Sequence, residues 1–416
     1  MPQVTAITQQ EKKQDAPIFS ANASAIALSS AVGALSGFIG VYLPLYFVQI
    51  GGSTITLGLF ALAAALMQLF FLPIGGIIAD GYGRRRIIVS MAFIGVIFPV
   101  FYALTQDWRV FGLLTVLAAV SVISSPATQA VIVDSISPEK RTTGITAIQV
   151  VSTLPAVVSP SLGGWLVLQY GLEDGFRMAC VYAAVIAFLS ALPLLVLLKE
   201  TLKTRNIQEA AKSPLRDGVL MLTKSSFRNL PQSLKFLMIS YALVAFANGA
   251  VGRFYILYAS SVVGLTAFDW GAVVSLQLLA ASVIKIPGGW FSDKFGKKKA
   301  MTVSLLATIP MILIFTLSQS FIQVLIAALL LVIAGIYYAP AHEALQADLT
   351  PRLMRGRVNA AWDMSSYFAI GLGTLVGGFA YQVLGPAVPF YVFAVAEFAA
   401  ALLLISKVKE PEIREA

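Results

Sequence analysis

Arg253, Lys285, Glu343, Asp363 and Glu397 are ionisable side chains set inside long apolar runs, and the only histidine, His342, adjoins Glu343. A charge at that depth in hydrocarbon costs several kcal/mol unless protein or water faces it, so such residues mark solute or ion pathways. Counting 1.5 Å per helical residue, Lys285 lies about 12 Å from Asp293, Glu343 about 7.5 Å from Asp348, and Asp363 about 9 Å from Arg357. The three therefore share a depth, and a network of Lys285 with Glu343 or Asp363 is expected. A carboxylate beside a lysine can change partners as protons come and go. Such a network is either a proton-coupling or gating site, or a buried ion pair that fixes packing. Arg253 is a different case. Its guanidinium fork suits a carboxylate or a phosphate, and Asn248, Tyr255 and Tyr258 are close in sequence. The alternatives are an arginine that reaches outward, or one that pairs with Asp269. No partner for Glu397 can be read from the sequence.

A second set of charged residues lies between the apolar runs and occurs twice. Residues 75–86 read GGIIADGYGRRR and residues 288–299 read GGWFSDKFGKKK, an offset of 213. PATQAVIVD at 126–134 matches PAHEALQAD at 340–348, and Gly163-Gly164 matches Gly377-Gly378, both at an offset of 214. Asp80 and Asp293 each close an apolar run. A carboxylate there faces the negative end of its helix dipole and needs compensation. The adjacent bases Arg84, Arg85, Arg86 and Lys297 can supply it, as can the positive start of a helix in the other half. That start lies near Asn359 and Ala360 for Asp80, and near Thr142 and Thr143 for Asp293. Asp134 and Asp348 join the same networks through Arg141, Arg355 and the loop bases. The residues either gate one face by charge contact or only set topology.

These residues need membrane-spanning helices to position them. The chain is 58% hydrophobic and 12% charged, where a soluble domain carries about 25% charged residues. Runs at 22–49, 55–79, 87–105, 110–133, 144–170, 177–198, 234–263, 268–291, 300–318, 321–346, 357–384 and 388–406 are each long enough to cross a bilayer core. The expected fold class is all-α, with twelve transmembrane helices in two six-helix halves. The expected divisions are an N-terminal tail at 1–21, a first half at 22–198, a linker at 199–233, a second half at 234–406 and a C-terminal tail at 407–416. Within the linker, residues 215–227 have the spacing of a short helix lying on the membrane surface; a simple tether is the alternative. With the N-terminus inside, 25 of the 29 lysines and arginines fall in inside segments and two in outside loops. The positive-inside rule then puts both termini in the cytoplasm.

Gly76–Arg86 resembles the signature loop between helices 2 and 3 of the major facilitator superfamily, and Gly289–Lys299 resembles its counterpart between helices 8 and 9. The resemblance spans roughly residues 20–406. Gly81 stands where the family usually has a base. Ser159-Pro160-Ser161-Leu162-Gly163-Gly164 on helix 5 resembles, in part, the proline–diglycine motif of the drug:proton antiporter branch, with serine where that motif has glycine before the proline. The arginine which that branch often carries within helix 4 is absent. The resemblance implies two bundles around a central cavity lined by helices 1, 4, 7 and 10, alternating access, and a monomer in the cell membrane. On those helices it makes Tyr42, Tyr46, Gln129, Asn248, Arg253, Tyr255 and Tyr337 candidate solute contacts. Aromatic groups with scattered polar ones suit an amphipathic solute, and are also ordinary packing residues.

The reading that follows is secondary transport of a small amphipathic organic solute by proton-coupled efflux. Its alternatives are uptake or exchange of an organic anion bound by Arg253, and uncoupled facilitated diffusion. The expected partners are the solute, protons and the lipid bilayer. One cysteine, Cys180, and one histidine exclude an intrachain disulfide and a histidine-rich metal site. No HExxH motif or phosphate-binding loop appears, so neither an enzyme nor a cofactor or metal is implied. The bases lie in short clusters between apolar runs, which argues against nucleic acid.

Overall fold

The computed structural model describes residues 20–136, 141–202, 230–351 and 354–410, without the side chains of 141–143, 145–146, 285–295 and 355–357. Twelve helices long and apolar enough to cross a membrane run through it, and the described residues contain no strand. They are α1 (Ala21–Gln49), α2 (Thr54–Tyr82), α3 (Arg84–Leu104), α4 (Trp108–Ser135), α5 (Arg141–Tyr170), α6 (Leu172–Leu197), α7 (Gln232–Ser261), α8 (Ala267–Phe295), α9 (Lys297–Thr316), α10 (Phe321–Leu349), α11 (Arg355–Phe379) and α12 (Val388–Lys407). A π turn, Ala380–Leu384, continues α11. The expected linker helix at 215–227 lies outside the described residues, as do the side chains of Arg141, Lys285, Asp293 and Arg355. Helix α6 starts five residues earlier than its apolar run, at Leu172, because Glu173 and Asp174 fall in its first turn and suit the positive end of the helix dipole.

The sequence repeat reappears in the backbone. All six described glycines with positive φ form three pairs at the repeat offset: Gly51 with Gly264, Gly83 with Gly296, and Gly171 with Gly385. Gly83 (φ 105°) and Gly296 (φ 91°) make the sharp turns into α3 and α9, a conformation that glycine adopts without a Cβ penalty. Helix starts repeat too. Ser53 and Thr266 cap α2 and α8 in reciprocal capping boxes with Thr56 and Asp269. Asp107 and Ser320 cap α4 and α10. Each side chain satisfies an amide that the first turn leaves unpaired.

Large apolar side chains such as Phe70, Leu104, Val196, Val283, Leu317 and Val395 are exposed along the helices. A soluble protein rarely leaves so much apolar surface bare; a helix facing lipid does so by necessity. Inside, aromatic residues fill the core around Tyr46, Phe111 and Phe176, and again around Tyr255, Phe315 and Phe390.

Candidate functional site

Four of the twelve spans are interrupted mid-course: α1 at Leu35–Gly37, α4 by a 3-10 segment Ala119–Ser124, α7 at Arg253–Phe254, and α10 at Ile336–Tyr337. Interrupted helices free backbone groups, and in membrane proteins such groups are tolerated only against protein or a cavity. The α1 break is held by Ser159 of α5, whose hydroxyl accepts from Phe38 N (2.9 Å) and donates to Leu35 O (2.9 Å). The α4 break packs its Ile123 backbone onto Gly75, where any Cβ would overlap it.

The helix direction defines two faces. One carries the start of α1 and the end of α12; we call it the terminal face. Several hydrogen bonds between the first six and the last six helices lie toward the opposite face. Tyr42 Oη of α1 sits 2.8 Å from Pro160 O and 2.9 Å from Ala267 O. Ser161 and Ser275 share a hydrogen bond of 2.8 Å. Thr54 Oγ1 donates to Gly378 O at 2.9 Å, and Ile55 N donates to Gln382 Oε1 at 3.2 Å. Small residues make this approach possible. A Cβ on Gly164 would stand 2.6 Å from Ala267 O, and one on Gly58 would stand 2.7 Å from Leu375 Cα. The serine–proline–diglycine run of α5 thus serves two neighbours: Ser159 and Gly163 fit α1, while Gly164 fits α8.

Toward the terminal face a cavity of about 450 Å³ lies among α7, α10 and α11, lined by Tyr241, Tyr338, His342, Glu343, Gln346, Asn359, Trp362 and Asp363. Glu343 and Asp363 are exposed although each lies within a span. His342 is buried between the rings of Tyr241 (centroids 4.4 Å apart, 17° between planes) and Tyr338 (5.6 Å, 11°), with Trp362 tilted against it at 5.0 Å. Among the described residues, the Nε2 of His342, the hydroxyl of Tyr338 and the Nε1 of Trp362 have no hydrogen-bond partner, although buried polar atoms are normally paired. Gln346 donates to Asn359 Oδ1 at 3.0 Å across the cavity wall.

A second cavity, of about 240 Å³, lies between the halves. Arg253, at the α7 break, enters it from the second half. All its other lining residues belong to α1, α2 and α4, among them Phe47, Phe60, Gln68, Thr115 and Ser121.

A model of the Major Facilitator Superfamily matches residues 25–271 and again 237–416. The chain belongs to this superfamily. It is 23% identical over 367 residues to multidrug resistance protein 2 of Bacillus subtilis (strain 168), covering 86% of this chain and 88% of that protein. It is 20% identical over 387 residues to quinolone resistance protein NorA of Staphylococcus aureus, covering 91% and 94%. The solved nucleoside transporter NupG shares the fold at TM-score 0.73 with 15% identity, covering 93% and 99% of the two chains. The D-xylose-proton symporter does so at TM-score 0.69 with 14% identity, covering 94% and 97%. The protein is accordingly a multi-pass membrane transporter and not an enzyme.

In this transporter the signature loops build matching charge clusters. Arg84 pairs with Asp134 and stands 3.9 Å from Asp80. Lys297 pairs with Asp348. Arg85 donates to the carbonyls of Leu198 (2.6 Å) and Leu195 (2.8 Å), and Lys298 donates to those of Val408 (2.7 Å) and Ile405 (2.9 Å). Arg86 is exposed. These bonds stay within each half. Asp80 stands beside Arg84 of its own loop, and Asn359 is engaged by Gln346.

The expected solute contacts are dispersed. Tyr42 and Tyr46 are fully buried, with their hydroxyls on backbone carbonyls, Tyr46 on Thr105 O at 2.9 Å. Tyr255 lies in the aromatic core, stacked on Trp270 and edge-on to Phe390. Gln129 and Asn248 are exposed, and Asn248 donates to Val244 O of its own helix. Tyr337 sits in the α10 break. Glu397 is buried beside Thr308, with Oε2 unpartnered. That Tyr241 and Trp362 join Tyr338 and His342 in the aromatic wall of the cavity at Glu343 was not read from the sequence. Its signal was present: 338, 342 and 346 recur every four residues, as do 359 and 363, which puts each set on one helix face.

Proposed function

We propose that the protein is a secondary active transporter that exports an amphipathic organic solute in exchange for protons. The observation that carries this is the meeting of Glu343 of α10 and Asp363 of α11 on one cavity with four rings. Rings accept an apolar or cationic body; two carboxylates within the span accept protons or a positive group. The relatives named for multidrug and quinolone resistance support the direction and the breadth of solute. The base count puts the terminal face in the cytoplasm. With the opposite face held by hydrogen bonds between the halves and the cavity of Glu343 and Asp363 toward the terminal face, we read the arrangement as a state receiving solute from the cytoplasm.

The test is accumulation by inside-out membrane vesicles of a panel of amphipathic cations and organic anions, with and without an acid-inside gradient. Gradient-driven uptake of at least one solute is expected, abolished by a protonophore and by Glu343→Gln with Asp363→Asn. Uptake indifferent to the gradient would overturn the coupling and leave facilitated diffusion.

A further inference from the structure

We infer that the cavity at Arg253 is a binding site for a small aromatic monocarboxylate, held by both halves of the chain at once. The inference rests on the transporter reading only in taking a central cavity as a place for solute.

The argument begins with charge. A guanidinium stays protonated in proteins, and Arg253 is half-buried, where a charge without a counterion is costly. None of the ion pairs among the described residues includes Arg253, and no described hydrogen bond engages it. Asp269, the acid nearest in sequence on the following helix, is occupied in the capping box with Thr266. The cavity therefore presents a cation that the described protein does not balance, and an anion completes it.

The walls decide what kind of anion. Gln68, Thr115 and Ser121 are the other polar lining residues, and the remainder is apolar, with Phe47 and Phe60 as the largest faces. A single guanidinium balances one negative charge, and its fork matches a carboxylate at two points. A dianion such as phosphate or sulfate would keep a second charge against alanine and phenylalanine. The apolar walls ask instead for an apolar body behind the carboxylate. Size narrows that body. A cavity of about 150 Å³ accepts benzene, and this one holds about 240 Å³. A benzoate-sized acid fits, with its ring meeting those of Phe47 and Phe60 at edge or offset.

Position gives the site its consequence. Among the described residues, Arg253 is the sole lining residue from the second half, and it sits where α7 is interrupted. A carboxylate on Arg253 with its ring among α1, α2 and α4 ties the halves together. Rocking one half against the other changes this contact, so occupancy is linked to conformation.

The experiment is equilibrium binding of radiolabelled benzoate to the purified full-length protein in detergent, in chloride-free buffer. One saturable site is expected. Arg253→Ala should weaken it by about tenfold or more, the factor one charged hydrogen bond commands. Arg253→Lys, which keeps the charge without the fork, should fall between. Ala64→Leu, which fills the cavity and leaves Arg253 in place, should also block binding, and neutral benzamide should not compete. Absent binding, binding unchanged in Arg253→Ala, or equal competition by benzamide would overturn the assignment. Displacement by chloride at matched concentration would overturn it in favour of an inorganic anion. Because no gradient is involved, this result stands or falls separately from proton-coupled export.

Discussion

Arg84 holds Asp134 at the terminal face of the first six helices, and Lys297 holds Asp348 at the equivalent place in the last six. The two pairs are one interaction used twice, at the same offsets of 213 and 214 that relate the sequence repeats. Each joins the start of the third helix of its half to the end of the fourth. They thereby fix the terminal-face ends inside a half, and rigid halves are what a rocking mechanism requires.

The two pairs should differ in strength. Asp134 is 47% exposed and Asp348 is 24% exposed, so water screens the first more. Double-mutant cycles in thermal unfolding should give a coupling under about 0.5 kcal/mol for Arg84–Asp134 and about 1 kcal/mol for Lys297–Asp348. Raising the salt concentration should reduce the first more than the second.

Ser159 should matter for folding more than for transport chemistry. Ser159→Ala leaves the buried Phe38 amide without an acceptor at the α1 break, a cost of about 1–3 kcal/mol. A drop of several degrees in melting temperature in detergent is expected. Ser159→Thr, which keeps the hydroxyl, should lose less.

Gly164 tests the contact between the halves. Gly164→Ala puts a methyl group 2.6 Å from Ala267 O, and overpacking of that kind costs about 1–3 kcal/mol. The cost falls only on the state in which the halves meet here. Cys180 is fully buried, so a cysteine introduced by Ser161→Cys reports this seam. Its maleimide labelling should be slow in the parent and rise about tenfold or more with Gly164→Ala.

Tyr42→Phe should act in the same direction and more weakly. It removes the hydroxyl between Pro160 O and Ala267 O, a loss of about 1 kcal/mol from this state. Labelling of the same cysteine should rise by a factor of about five. No change would mean that the hydroxyl does not hold the seam.

The sequence by itself determined the parts that depend on neighbours along the chain. Twelve apolar runs became twelve helices because a bilayer span needs about 20 such residues. The positive-φ turns at Gly83 and Gly296 and the capping of α2 and α8 followed from residues within a few positions of each other, so the repeat carried them into both halves. The loop acids and bases were legible for the same reason. Tertiary structure alone decided what crosses between helices. That Tyr42 spends its hydroxyl at the seam, that His342 lies between two tyrosines, and that Arg253 enters a cavity walled by the other half all depend on helix rotation and tilt. Those are set by packing among residues more than a hundred positions apart, such as Gly164 against Ala267, which no local pattern encodes.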